Sequence, residues 1–213
     1  MKYYITLIIV FVFQLTILSQ NSSTKSFVSS ANEIEINVRA LDEVKIQNSN
    51  SAEIEIHVLS QSEQLYDVVI NEFESLLKLD FETSSFSDTV FRKYITKRIN
   101  RASALIKIPK GKNITIIGDN VDVISESYKG DLNIFIEKGH VDLHKIQQDL
   151  SLKLYQGNVY FTSVASNLNI TTNTGKIQLN KKSVSSPYFL KQKNFKKQIT
   201  ISSIKANIFA YQL

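Results

Sequence analysis

Three consecutive segments repeat one pattern: DLNIFIEKGHVDLHKIQQ from Asp131, DLSLKLYQGNVYFTSVAS from Asp149, and NLNITTNTGKIQLNKKSVSS from Asn167. Each opens on Asp or Asn and follows with Leu132/Ile134, Leu150/Leu152 or Leu168/Ile170. Gly139, Gly157 and Gly175 then recur eighteen residues apart, ahead of Val141/Leu143, Val159/Phe161 and Ile177/Leu179. Ile146, Val164 and Val184 complete the lines. A fixed short period marks a stack of like units, none of which can bury its apolar face alone.

In an extended strand, side chains at i and i+2 share a face. Each line therefore holds two short arms, with a glycine where the chain turns between them. Parallel neighbours above and below complete the pairing of each coil. The same spacing extends both ways. Ile114/Ile116 with Val121/Val123 precede the three lines, while Tyr188/Leu190 with Ile199/Ile201, then Ile208 with Ala210, follow them. EIEINV at 33–38 and EIEIHV at 53–58 alternate in the same way, with Val44 and Ile46 between. Over 62–82, Val68/Ile70 and Leu77/Leu79 stand nine apart around FES. This favours two strands over a helical face through Leu65, Val68, Val69, Phe73, Leu76 and Leu77. The expected fold is all-β: a single-stranded, parallel β-solenoid with coils of 18–20 residues. Right-handed winding is the default for parallel crossovers, with Ile134, Leu152 and Ile170 in one internal column.

The chain has 213 residues, is 43% hydrophobic and contains 2 prolines, which suits one domain with a sizeable core and not wholesale disorder. It has no cysteine, so disulfides, thiolate metal sites and cysteine nucleophiles are excluded. Residues 1–20 read as a secretory signal, with Lys2 ahead of an apolar run from Ile5 to Leu18; an uncleaved anchor is the alternative. Residues 21–32 then read as a linker, and 33–213 as the solenoid domain. A basic insertion at about 83–103 carries Arg92, Lys93, Lys97, Arg98 and Arg101 with no acid among them. The expected location is outside the cytoplasm: periplasm, cell surface or medium. The net charge of +5 is mild, and with export it argues against nucleic acid as a partner. No later segment is long and apolar enough to span a membrane.

An IPKG corner at 108–111 leading into NITI, and coils of the form L-x-I-x-x-x-x-G-x-V-x-L, resemble the bacterial putative-adhesin domains of β-helical type. The resemblance covers about residues 33–213. It implies a β-helix without a known cofactor or catalytic residues. The chain departs from it where a lysine-rich turn replaces the glycine corner between Tyr188 and Ile201, and in the length of the segment around Arg92–Arg101.

Candidate sites are few. His140, Asp142 and His144 alternate on one strand face, but i, i+2 side chains lie nearly 7 Å apart, and the aligned Asn158, Tyr160 and Thr162 add no strong ligand. A solvated polar face is the better reading, and no metal is expected. Asp119, Asp122, Glu126 and Asp142 are the carboxylates available for acid/base work, but they fall at ordinary outward positions and corners. No G-x-S-x-G elbow or phosphate loop occurs. Asp131, Asp149, Asn167 and Asn207 are expected to form a corner ladder of hydrogen bonds. The turn KQKNFKKQ at 191–198 concentrates Lys191, Lys193, Lys196 and Lys197 around Phe195, and is expected to project from the stack. The expected function is a non-catalytic binding module for a cell-surface or envelope ligand. An anionic polysaccharide or envelope surface would be engaged by that turn and by the basic insertion. The alternative is a structural envelope protein that binds another protein through solenoid faces or end coils.

Overall fold

A computed structural model describes residues 21–60, 66–83, 102–193 and 195–212. The expected signal segment, and Arg92, Lys93, Lys97, Arg98 and Arg101 of the expected basic insertion, lie outside the described residues. No helix among the described residues is long and apolar enough to cross a membrane.

Sixteen strands form one mixed sheet. In chain order they are β1 (Asn21–Val28), β2 (Glu33–Asn37), β3 (Glu43–Asn48), β4 (Glu53–Ser60), β5 (Tyr66–Phe73), β6 (Leu76–Thr83), β7 (Ala102–Ile108) and β8 (Asn113–Asn120). Then come β9 (Asp122–Glu126), β10 (Leu132–Ile146), β11 (Leu150–Ser163), β12 (Asn167–Thr172), β13 (Ile177–Leu179), β14 (Lys182–Val184), β15 (Tyr188–Leu190) and β16 (Gln198–Gln212).

The long strands β10, β11 and β16 each carry both arms of a coil, and they join two ladders. The first runs β5–β6–β2–β8–β10–β11–β16–β12–β15, and the second β1–β4–β7–β3–β9–β10–β11–β16–β13–β14. Alternation explains the core. Ile34/Ile36, Ile114/Ile116, Leu132/Ile134 and Leu150/Leu152 of the first ladder are buried, as are Val44/Ile46, Val141/Leu143 and Val159/Phe161 of the second. All belong to one hydrophobic cluster. β-branched residues dominate because they fit a pleated, buried surface.

The predicted pairing holds within the central repeat: Ile134 opposes Leu152, Val141 opposes Val159, and Gly139 opposes Gly157, all parallel. Beyond it the order changes. β16 inserts between β11 and β12, so Leu152 opposes Ile201, and Ile201 opposes Ile170. Gln198 takes the place of the Asp or Asn that opens a line, and Ala206 takes the glycine position opposite Gly157. Residues 198–212 are thus a further copy of the repeat, placed ahead of the third line. The expected coil from Tyr188 to Ile201 does not form. β15 folds back antiparallel on β12, and β14 antiparallel on β13, capping the stack. The β13–β14 turn places Asn180 and Lys181 at φ 48 and 67, the geometry a two-residue hairpin demands.

The other end is arranged similarly. β6 lies outside β2, and β7 outside β3, although both come later in sequence. β5 and β6 are the two strands expected around FES, paired antiparallel. EIEIHV is not another parallel arm: β4 runs antiparallel to β7. The expected linker at 21–32 instead supplies β1, antiparallel to β4 over its whole length. The sheet is therefore mixed and not purely parallel, because the ends are closed by antiparallel hairpins that shield the apolar coils.

Candidate functional site

Charge is divided along the stack. All 20 Asp and Glu fall at or before Asp149, whereas 9 of the 25 Lys and Arg, all of them lysines, fall after it. The fold turns this division into a spatial one. The segment after Asp149 builds β11, β16, the last coil and the C-terminal cap, which together form one end of the stack. Every ion pair among the described residues lies before it; examples are Lys25–Asp67 at 2.7 Å and Lys45–Glu126 at 2.7 Å. The cap therefore carries Lys176, Lys181, Lys182, Lys191, Lys193 and Lys196 exposed and without an acidic partner among the described residues. Phe189 and Phe195 stand among them, 67% and 43% exposed.

The turn singled out in the sequence belongs to this end, but it is more tied down than expected. Asn167 clasps it: its side-chain amide donates to the Phe195 carbonyl at 2.8 Å, and its Oδ1 accepts from the Gln192 N–H at 2.8 Å. The Asn167 N–H donates to the Lys197 carbonyl at 2.9 Å. Lys197 Nζ donates to the Gln147 carbonyl, so this ammonium is engaged within the protein. Lys191, Lys193, Phe195 and Lys196 remain at the surface. Lys176, Lys181 and Lys182 join them through the β13–β14 hairpin. They were missed in the sequence, although the absence of any acid after Asp149 was the signal that could have found them.

The corner ladder exists with one substitution. The Asp149 N–H donates to Asp131 Oδ1 at 3.1 Å, and the Gln198 N–H donates to Asp149 Oδ1 at 2.8 Å. Asn207 belongs instead to the corner between arms, where its amide donates to Asn158 Oδ1 at 3.2 Å. Its Oδ1 there accepts from the Lys176 N–H at 3.1 Å. The remaining polar candidates have local partners. Asp119 pairs with Arg39 at 3.1 Å, Glu126 with Lys45 at 2.7 Å, and Asp122 Oδ1 accepts from the His140 N–H at 2.6 Å. His144 Nε2 lies 3.3 Å from Asp142, while the His140 ring packs against Tyr160 at 4.9 Å. The two imidazoles thus face different neighbours. Among the described residues no group of three or more His, Asp or Glu could hold a metal ion. Hydrogen bonding to Lys107, then to His57, holds the Glu55 carboxyl below the usual range.

A concave surface lies on the outer face of the first ladder, a groove of about 570 Å³. It crosses β8, β10, β11, β16 and β12 and includes Ile117, Phe135, Lys153, Tyr155, Ile204 and Asn173. Lys153 Nζ lies 5.5 Å from the Phe135 ring centroid and Lys205 Nζ 5.8 Å from that of Tyr155.

No family model matches the sequence, and no curated protein matches it significantly. Solved structures do. A putative cell adhesion protein from Clostridium sporogenes superposes with a TM-score of 0.71 at 10% identity, covering 92% of this chain and 100% of that one. A putative adhesin from Bacteroides fragilis aligns over 92% of this chain and 99% of its own, with a TM-score of 0.35 and 13% identity. At such identities the likeness is one of architecture, and the chain shares the fold of the Clostridium protein.

Proposed function

We propose that this chain is an exported, non-catalytic, adhesin-like module. Its stacked coils form a right-handed β-solenoid, and its lysine-rich end binds an anionic envelope surface. One observation carries the reading: the coil order gathers a segment without any acid into one end of the molecule, where the cap exposes Lys176, Lys181, Lys182, Lys191, Lys193 and Lys196. Exposed ammonium groups act weakly one by one and are screened beyond roughly 8 Å at physiological salt. Binding by this end is accordingly multivalent and salt-sensitive, with Phe189 and Phe195 adding apolar contact. The cell-adhesion name of the Clostridium protein, whose fold this chain shares, agrees with a binding role.

The test changes Lys181, Lys182, Lys191, Lys193 and Lys196 together to Glu, leaving Lys197 because of its bond to Gln147. Wild type should bind acidic polysaccharide or vesicles containing anionic lipid, with affinity falling as salt rises, and the folded variant should not. Equal binding by both proteins, or none by wild type at low salt, defeats the proposal.

A second reading is a structural envelope protein that pairs with another protein by strand addition. It is favoured by β1, which pairs only with β4 among the described residues and leaves its other edge open. Cross-linking in whole cells that captures one protein at β1, together with no binding to anionic surfaces, would favour this reading.

A further inference from the structure

The groove on the outer face of the first ladder is separate from the lysine-rich cap, and its chemistry is more specific. Its floor is set by strand register: Ile117 opposes Phe135, Phe135 opposes Lys153, and Lys153 opposes Ser202. Beside that row lie Tyr155 and Ile204, 46% and 41% exposed. Five strands at their usual spacing make the groove roughly 19 Å long, room for several sugar rings in line. We propose that it is a subsite for an acidic polysaccharide, with sugar rings on Phe135 and Tyr155 and their carboxylates on Lys153 and Lys205.

The resting contacts support this occupant. In the free protein each ammonium covers an aromatic ring and has no carboxylate partner among the described residues. Cation–ring contacts at exposed sites are weak. A ligand carboxylate displaces them by offering a full opposite charge, and the ring faces are then free for the C–H face of a sugar. A neutral polysaccharide would meet the rings but leave the ammonium groups unpaired. A single-stranded nucleic acid would also stack on the rings, but it brings a phosphate with every base. Asp119, ion-paired with Arg39, and Glu137 line the groove, and Glu137 opposes a phosphate chain and a polyuronate alike. Toward sugar hydroxyls, Glu137, Asn173, Ser202 and Thr171 are hydrogen-bonding partners. This site stands apart from the cationic cap, and either is able to fail without the other.

The experiment titrates the protein with an oligogalacturonate, a neutral maltooligosaccharide of equal length and an oligothymidylate, read by tyrosine fluorescence and calorimetry. Lys153→Gln with Lys205→Gln alters only exposed side chains, and Tyr155→Ala removes one platform. Each should weaken oligogalacturonate binding about tenfold or more, while Lys191→Gln, Lys193→Gln and Lys196→Gln together should change it about twofold or less. A thermal melt confirms that each variant is folded, and the double lysine variant decides the matter if Tyr155→Ala does not fold. Unchanged binding by that variant overturns the proposal, as does equal binding of the neutral sugar or tighter binding of the oligothymidylate. Loss of binding only in the cap variant would leave the proposed function standing and remove the groove from it.

Discussion

The backbone of Gly157 rests on that of Gly139: a Cβ built on Gly157 would fall 1.9 Å from the Gly139 carbonyl oxygen. Gly157 also sits at φ +148, where side chains are strained. Gly157→Ala must therefore separate two coils at their corner, and should cost about 2 kcal/mol or more. Gly111 is the control. Its φ of +85 is also unfavourable for alanine, but nothing lies within 4 Å of a Cβ there. Gly111→Ala should cost only about 1 kcal/mol. Urea titration of both variants against wild type measures the difference.

Leu152 is fully buried, between Ile134 on one side and Ile201 on the other. Leu152→Asp places a charge at the centre of that column, and should abolish cooperative unfolding because no partner is within the core. Leu152→Ala should leave a folded protein weakened by about 2–5 kcal/mol. Near-ultraviolet circular dichroism with thermal melts separates the two outcomes.

Deleting residues 198–213 removes a coil from inside the stack, since β16 pairs with β11 on one side and with β12 and β13 on the other. The truncated chain should lose its cooperative transition and expose residues 164–193 to protease. A protein that trims only its last residues and keeps the wild-type melting point would contradict the observed pairing.

Tyr128 is buried, and its hydroxyl donates to the Lys112 carbonyl at 2.8 Å. Burial raises its pKa well above the usual tyrosine value; the Lys112 bond acts in the opposite direction. The folded-state value exceeds the unfolded one, so the stabilising contribution is complete below about pH 10 and is lost as pH rises beyond it. The loss should run at about 1.4 kcal/mol per pH unit until the folded-state value is reached. Tyr128→Phe should cost about 1 kcal/mol at neutral pH and become the more stable protein in strong alkali. Denaturant titrations of both proteins from pH 7 upward test the crossing.

Strict alternation made the strands legible. Leu132/Ile134 and Leu150/Leu152 announce both the buried face and the parallel register that the structure shows. The order of coils was not legible, because Ile199/Ile201 and Leu168/Ile170 present equivalent apolar pairs to Leu150/Leu152, and either fits the ladder. Gln198 for Asp and Ala206 for Gly further masked the last copy of the repeat. The antiparallel direction of β4 escaped for a similar reason: alternation fixes which side is buried and is silent on chain direction. The lysine turn was visible as a sequence, whereas the groove was not. Tyr155 and Ile204 stand 49 positions apart in sequence (204 − 155) and meet only because β16 docks on β11.

The interior position of β16 also sets a timetable. During synthesis β16 emerges after β11 and β12, the two strands between which it must lie. If β12 settled directly against β11, their matching apolar pairs would form a wrong ladder that β16 would have to break open. The chain avoids this trap when the β13–β14 and β12–β15 pairings stay loose until β16 has emerged. The correct arrangement is a long-range closure, and it should make folding slow compared with a stack built strictly in order.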